Sequence, residues 1–183
     1  MMDIKLELWY FLHDKGKFWS DVRRKFHILT LEKSQYYPEC EQYYSKLEVK
    51  GKVVIDVGCD FGTTPMYFIS RGAKKVIGFS LDKQYFRDYR YKHFDLNEQP
   101  EVLNGVIDGL SLSQDEAKVF VLKSDCEGCE WNFTIPFIET FSDWIIACHT
   151  PIRNQELFDY IKANGKLIGK QEGKEFGIYK KVR

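Results

Sequence analysis

With 183 residues, the chain is long enough for one domain that buries roughly 70% of its unfolded surface. It is 44% hydrophobic and 16% aromatic, which permits a large core, while 27 basic and 27 acidic side chains cancel to a formal charge of zero. That balance removes any global electrostatic case for nucleic acid or an anionic membrane. No stretch approaches the roughly 20 apolar residues of a membrane span, and acids run through the apolar part of MMDIKLELWYFLHDKG, unlike a signal peptide. The expectation is a single-domain cytoplasmic protein. Cys40, Cys59, Cys126, Cys129 and Cys148 are an odd number in a chain that does not need staples, so reduced thiols are the default.

Residues 1–50 read as a helical N-terminal extension to a core at 51–183. Phe18, Trp19, Val22, Phe26 and Leu29 recur at helical spacing, with Asp21, Arg23, Arg24 and Lys25 between them. Tyr36, Tyr37, Cys40, Tyr43, Tyr44 and Leu47 repeat at three and four residues, with Ser34 as a cap and Pro38 near the start. This stripe is either an aromatic wall over a ligand or a packed helix with its hydroxyls at the rim; stripes at helical spacing favour the packed helix.

From Lys52 onward strands alternate with helices. Strands are expected near 53–57, 75–79, 102–107, 118–124, 144–149, 166–170 and 176–181. Helices are expected at 64–71 closed by Gly72, 83–94, about 130–141, and 154–163 closed by Asn164-Gly165. The alternation predicts an α/β, doubly wound, mostly parallel sheet of seven strands. The last two strands, joined across QEGKE, suit an edge hairpin with one strand antiparallel to the rest.

The chain is organised around VVIDVGCDFG, Val53 to Gly62. Its apolar run has the look of a central parallel strand, and Gly58 and Gly62 permit backbone angles or a close approach that a Cβ would resist. Thr63-Thr64-Pro65 then reads as a helix start with a capping hydroxyl. Ligands of open parallel sheets bind beyond the carboxyl ends of the strands. That crevice would gather Asp56 to Gly62, Ser80 to Asp82, Ile107-Asp108, Asp125 to Glu130, and Cys148-His149. The loop lacks both GxGxxG and GxxxxGK[ST] spacing. It suits a ligand without a pyrophosphate, such as an amino-acid-bearing adenosine.

VVIDVGCDFGTTPMYFISRGAKKVIGFSLDK followed by LKSDCEGCEW resembles the FkbM-type group of class I S-adenosylmethionine-dependent methyltransferases. These typically show a DVGANxG loop, an acid after the second strand and a K-x-D-x-E-G-x-E segment, here Lys123, Asp125, Glu127, Gly128 and Glu130. The resemblance covers about residues 50–150 and implies a Rossmann-like fold and S-adenosylmethionine as cofactor. It implies that the Gly58–Gly62 loop lies under the methionyl part and that Asp56 orders the loop. Asp60 stands where the family has asparagine. Ser80 stands where the acid that accepts both ribose hydroxyls falls, leaving Asp82 as its substitute. Asp108 and Asp125 complete the expected cofactor contacts.

Either Asp125 or Glu127 contacts cofactor and substrate, with Glu127 a candidate proton acceptor, or these acids serve the start of the next helix. His149, with a pKa near neutrality, is a candidate general base, or else a histidine bonded to backbone. Cys126-Glu-Gly-Cys129, with Cys59, Cys148 and His149, has the ligand types of a zinc site; no metal is assigned, and a disulfide on oxidation is preferred. In KQYFRDYRYKHF the basic and aromatic residues either meet RNA or form a buried stripe with solvated cations, and zero net charge favours the stripe. The expected function is O-methylation of a small-molecule or sugar-like acceptor. The alternative is a methyltransferase-fold binding module that has lost cofactor use. No Asn/Asp-Pro-Pro-Tyr/Phe motif supports amino-methylation of nucleic acid.

Overall fold

The computed structural model describes residues 37–59, 62–81, 88, 90–97, 103–105, 119–170 and 177–182. The first segment, YPECEQ, forms a short helix α1 (Tyr37–Gln42), followed by a 3-10 turn (Tyr44–Lys46). Six strands are then expected and found: β1 (Val53–Val57), β2 (Lys75–Ser80), β4 (Phe120–Ser124), β5 (Asp143–Ala147) and the pair β6 (Gly165–Lys170) and β7 (Gly177–Lys181), with β3 (Tyr91–Asp95) differing from expectation. The described helices of the core are α2 (Thr63–Ser70), α3 (Ile135–Glu139) and α4 (Gln155–Asn164).

The sheet order is β3-β2-β1-β4-β5-β7-β6. Every pairing from β3 to β5 is parallel, and β7 runs antiparallel to both β5 and β6. This is the seven-stranded, mostly parallel sheet of class I methyltransferases. The order reverses between β1 and β4, so the crevice at their carboxyl ends is the switch point of the topology.

Alternate residues of the central strands serve opposite faces. Val54, Val121 and Ile145 pack with Tyr44, Leu47, Tyr67 and Phe68, under α1 and α2. Ile55, Leu122 and Ile146 pack with Trp131, Phe137, Leu157 and Ile161, under α3 and α4. A strand covered on both faces must be apolar throughout, which is why β1 and β5 are buried almost end to end.

The third strand corrects the sequence expectation. Leu103–Gly105 form a helical turn rather than part of a strand at 102–107, and β3 comes from YKHFD, which overlaps the end of the helix expected at 83–94. Phe94 stacks on Phe79 of β2 with ring centroids 5.3 Å apart. An aromatic spaced to suit a helical stripe is spent on a cross-strand contact. The remainder of 83–90, apart from Asp88 and Arg90, lies outside the described residues, as do residues 1–36, including the stripe from Phe18 to Leu29.

The helix expected at 130–141 is divided. Cys129–Asn132 is a 3-10 turn, Phe133 and Thr134 are extended, and α3 starts with the Thr134 hydroxyl accepting from the Phe137 amide at 3.2 Å. Pro136 has no amide proton to continue a helix from the preceding turn. Asn154 caps α4 in the same way, accepting from Leu157 N at 3.0 Å. Among the described residues no helix is long and apolar enough to cross a membrane.

Candidate functional site

Asp56 and Lys123 are in register on neighbouring strands and point to the same face. Both side chains are buried, and Asp56 Oδ1 faces Lys123 Nζ at 3.1 Å. Asp56 Oδ2 accepts from the Thr64 hydroxyl at 2.5 Å. The hydroxyl expected to cap α2 is therefore bonded to the strand, and the N-cap position is taken by Gly62 at φ 101° with no side-chain cap. Burial raises the Asp56 pKa, opposed by the Lys123 charge and the Thr64 hydrogen bond. Lys123 Nζ also donates to the Gly58 carbonyl at 2.5 Å. Asp56 thus orders the glycine loop through Lys123 and Thr64 while having no surface of its own.

Gly58 adopts φ 79°, and a Cβ there would lie 1.8 Å from the Asp125 carbonyl oxygen. Its lack of a side chain lets the loop after β1 close on the loop after β4, so the chain's own backbone makes the close approach. The second loop carries two left-handed residues in succession, Glu127 (φ 54°) and Gly128 (φ 110°). They fold Cys126-Glu-Gly-Cys129 tightly, and Cys126 and Cys129 are joined by a disulfide with Cα atoms 5.5 Å apart. This pair departs from the reduced default, whereas Cys40, Cys59 and Cys148 are buried and outside any disulfide.

Four side chains from distant parts of the sequence form a polar chain. Tyr44 donates to Asp125 Oδ2 at 2.6 Å, and Asp125 Oδ1 lies 3.2 Å from His149 Nε2. His149 Nδ1 lies 2.9 Å from Glu130 Oε1, which also accepts from the His149 amide at 2.7 Å. Glu130 Oε2 accepts from Gly128 N at 2.9 Å. Glu127 Oε2 is 3.8 Å from His149 Nε2, on a side chain that is 86% exposed. Burial would lower the His149 pKa, but the carboxylates on both ring nitrogens prevail and raise it to about 10. The Asp125 pKa is lowered: burial opposes this, and hydrogen bonds from His149 and Tyr44 with the Lys123 charge outweigh it.

These groups border a cavity of about 490 Å³ whose walls include Glu39, Tyr44, Gly58, Asp125, Glu127 and His149. Gly58, Asp125, Glu127 and His149 therefore meet as the crevice reading expects. Asp56 lies beneath them, and Gly62 is buried at the start of α2. As general base His149 does not fit: a ring held between two carboxylates at a pKa of about 10 is already protonated at neutral pH. Ser80, at the buried end of β2, contacts His93 Nε2 at 3.3 Å. Asp60, Asp82 and Asp108 lie outside the described residues. Asp108 was expected at the end of the third strand, but that position belongs to Asp95, in register with Ser80.

The expected gathering of cysteines with His149 is not found. Among the described residues the donor groups that come within 4.8 Å of one another are Cys126–Cys129–Glu130 and Asp125–Glu127–His149, with neither Cys59 nor Cys148 in them. Sequence reasoning missed the roles of Tyr44 and Glu130. Tyr44 sat in a stripe read as packing, and its contact spans 81 residues; Glu130 was visible as the last acid of the K-x-D-x-E-G-x-E segment.

No family profile matches the chain. Uncharacterized protein 158B of Sulfolobus islandicus rod-shaped virus 1 is 34% identical over 137 residues, 73% of this chain and 80% of that protein. Uncharacterized protein 65 of Sulfolobus islandicus filamentous virus is 28% identical over 143 residues, 77% and 81% of the two chains. A ribosomal protein L11 methyltransferase of Tolumonas auensis is 35% identical over 83 residues, 44% of this chain and 26% of that protein. Among solved structures, M. capricolum TrmK in complex with S-adenosyl-homocysteine superposes with a TM-score of 0.45 at 12% identity, over 75% of this chain and 64% of that one.

Proposed function

The chain belongs to the family of protein 158B of Sulfolobus islandicus rod-shaped virus 1, and from its site we propose an S-adenosylmethionine-dependent methyltransferase that methylates oxygen on a small-molecule or sugar-like acceptor. The observation that carries this reading is the cavity at the carboxyl ends of β1 and β4, the switch point of a class I methyltransferase sheet. The partial likeness to a ribosomal protein L11 methyltransferase supports methyl transfer in general, and the oxygen acceptor rests on the FkbM-type segment from Lys123 to Glu130 alone.

The donor set fits the cofactor. Glu39, Asp125 and Glu127 border the cavity with carboxylates, which suit a ligand bearing an ammonium and a sulfonium. Its volume of about 490 Å³ lies within the roughly 300 to 1,000 Å³ of small-molecule sites. At the end of β2 Ser80 offers no carboxylate, and Asp95 beside it in β3 is the described acid suited to the nucleoside end.

When bound, S-adenosylmethionine supplies an electrophilic methyl group. The residues of the chain hold and orient: Lys123 fixes the Gly58 carbonyl, Tyr44 and His149 fix Asp125, and the acceptor enters where Glu127 borders the cavity. Direct transfer asks for proximity and a desolvated pocket more than for protein chemistry. Glu127, at the exposed rim, is placed to take a hydroxyl proton.

Thermal unfolding with S-adenosylhomocysteine tests the reading. At a hundredfold excess over Kd, binding adds roughly 2.7 kcal/mol, or roughly 5 to 11 °C for a chain of this size. No shift at millimolar ligand would instead favour a binding module without cofactor use, a reading that the engaged Ser80 hydroxyl supports.

A further inference from the structure

We propose that Asp125, Glu127 and His149 bind a single first-row divalent cation at the edge of the cavity, through one oxygen of each carboxylate and Nε2 of the imidazole, whose proton the cation displaces to solvent. The site shares Asp125 and Glu127 with the methyltransferase reading but does not depend on it.

The donor atoms already stand near a coordination polyhedron. His149 Nε2 is 3.2 Å from Asp125 Oδ1 and 3.8 Å from Glu127 Oε2, and all three donors lie within 4.8 Å of one another. With metal–donor bonds of about 2.1 Å, neighbouring donors are about 3.0 Å apart in an octahedron and about 3.4 Å apart in a tetrahedron. Small rotamer adjustments close the difference, and Glu127 is exposed enough to make them. Asp125 and His149 follow the ends of β4 and β5, two adjacent parallel strands, so the sheet sets their spacing, and Glu127 completes the set from the loop after β4.

The surroundings have the features of a metal site. A ligating histidine almost always passes its other ring N–H to a carboxylate, a backbone carbonyl or water, and the ligating carboxylates are hydrogen-bonded in turn. Glu130 is fully buried and accepts from His149 Nδ1, while both of its oxygens are held by backbone amides, from His149 and from Gly128. That arrangement aims Nε2 at Asp125 and Glu127. Tyr44 holds the second oxygen of Asp125, leaving Oδ1 for the cation. Trp131 Nε1 donates to the His149 carbonyl at 3.0 Å and steadies the backbone.

One imidazole and two carboxylates, with no thiolate, suit Mn²⁺, Co²⁺ or Zn²⁺. Three protein ligands beside a cavity leave positions for an oxygen-bearing ligand, as in catalytic rather than structural sites. With the cation bound, Glu127 ligates, and the acidity of a coordinated hydroxyl replaces its service as a base.

The test is calorimetric titration of chelator-treated protein with MnCl₂, CoCl₂ and ZnCl₂, without any S-adenosyl compound, along with the visible absorption of the Co²⁺ form. One equivalent is expected to bind. Glu127→Gln, at an exposed position, should keep the thermal midpoint of the metal-free protein and weaken binding at least tenfold. Tyr44→Phe should weaken it roughly 10- to 100-fold, as loss of a partner behind a ligand does. Cys126→Ser with Cys129→Ser should still bind. Absence of saturable binding by all three ions at millimolar concentration, unchanged affinity in Glu127→Gln, or loss of binding in the cysteine variant would each overturn the site. Titration with S-adenosylhomocysteine in chelator reports the cofactor reading separately, so either can fail alone.

Discussion

Lys123 shows how one charge shapes a site it does not itself perform chemistry in. Its ammonium is buried among Asp56, the Gly58 carbonyl and the Tyr44 ring, 5.2 Å from the ring centroid. Removing one partner of a buried pair strands the other charge, which costs about 3 to 5 kcal/mol. Asp56→Ala should therefore lower the thermal midpoint by roughly 6 to 20 °C with or without ligand, and a drop confined to ligand-bound protein would place Asp56 in direct contact with the cofactor instead. His149 gives a pH dependence. Its folded pKa of about 10 is raised above the ordinary 6.5 by Asp125 and Glu130 against the opposing effect of burial. The stabilisation is complete below about pH 6.5 and is lost as pH rises towards 10. Urea midpoints of chelator-treated protein should fall steadily from pH 7 to pH 9; a flat profile would mean a neutral imidazole.

At the scale of elements, the two loops after β1 and β4 are one structure. Gly58 has no room for a Cβ because the Asp125 carbonyl occupies that space, and its φ of 79° disfavours side chains in any case. Gly58→Ala should separate the loops and abolish the S-adenosylhomocysteine shift. A variant that retains both the shift and the melting temperature would show that the contact is dispensable. The caps of α3 and α4 are simpler: Thr134→Ala and Asn154→Ala each remove one side-chain acceptor from a helix start, at about 1 kcal/mol, or roughly 2 to 4 °C in a melting curve. Much of this level was legible beforehand. β1, β2, β4 and β5 announce themselves as β-branched or apolar runs, and Gly72 ends α2 at φ 89° as a glycine there should. β3 was not legible, because Phe94 fits a helical stripe as well as a strand and only the stacking on Phe79 decides between them.

For the whole molecule, the consequence of the fold is that the N-terminal segment takes part in the site. α1 and the 3-10 turn lie on the face of α2, where Tyr44 packs with Phe68 and Val54 while its hydroxyl reaches Asp125. The same segment covers the Asp56–Lys123 pair, so a change in it should be felt in the cavity. Tyr44→Phe removes only an oxygen from this packing. In chelator it should weaken S-adenosylhomocysteine binding while the unliganded protein loses no more than about 1 to 3 kcal/mol, the cost of an unsatisfied partner, or roughly 2 to 12 °C in its thermal midpoint. Unchanged affinity would confine Tyr44 to packing.

By itself the sequence determined the class of architecture, since hydrophobic periodicity and turn residues are local properties that survive without a partner. It also determined the position of the glycine loop and the acids after β4, because a strand end followed by such residues faces the crevice in any parallel sheet. What only the tertiary structure decided is how those groups are paired. Asp56 turned inward to Lys123, the Thr64 hydroxyl bonded the strand instead of capping its helix, His149 was set between Asp125 and Glu130, and Tyr44 reached the site from the far end of the described chain. Each pairing joins residues from different elements, and burial makes each one energetically decisive, so VVIDVGCDFG and KSDCEGCE could mark the site without stating what their side chains do in it.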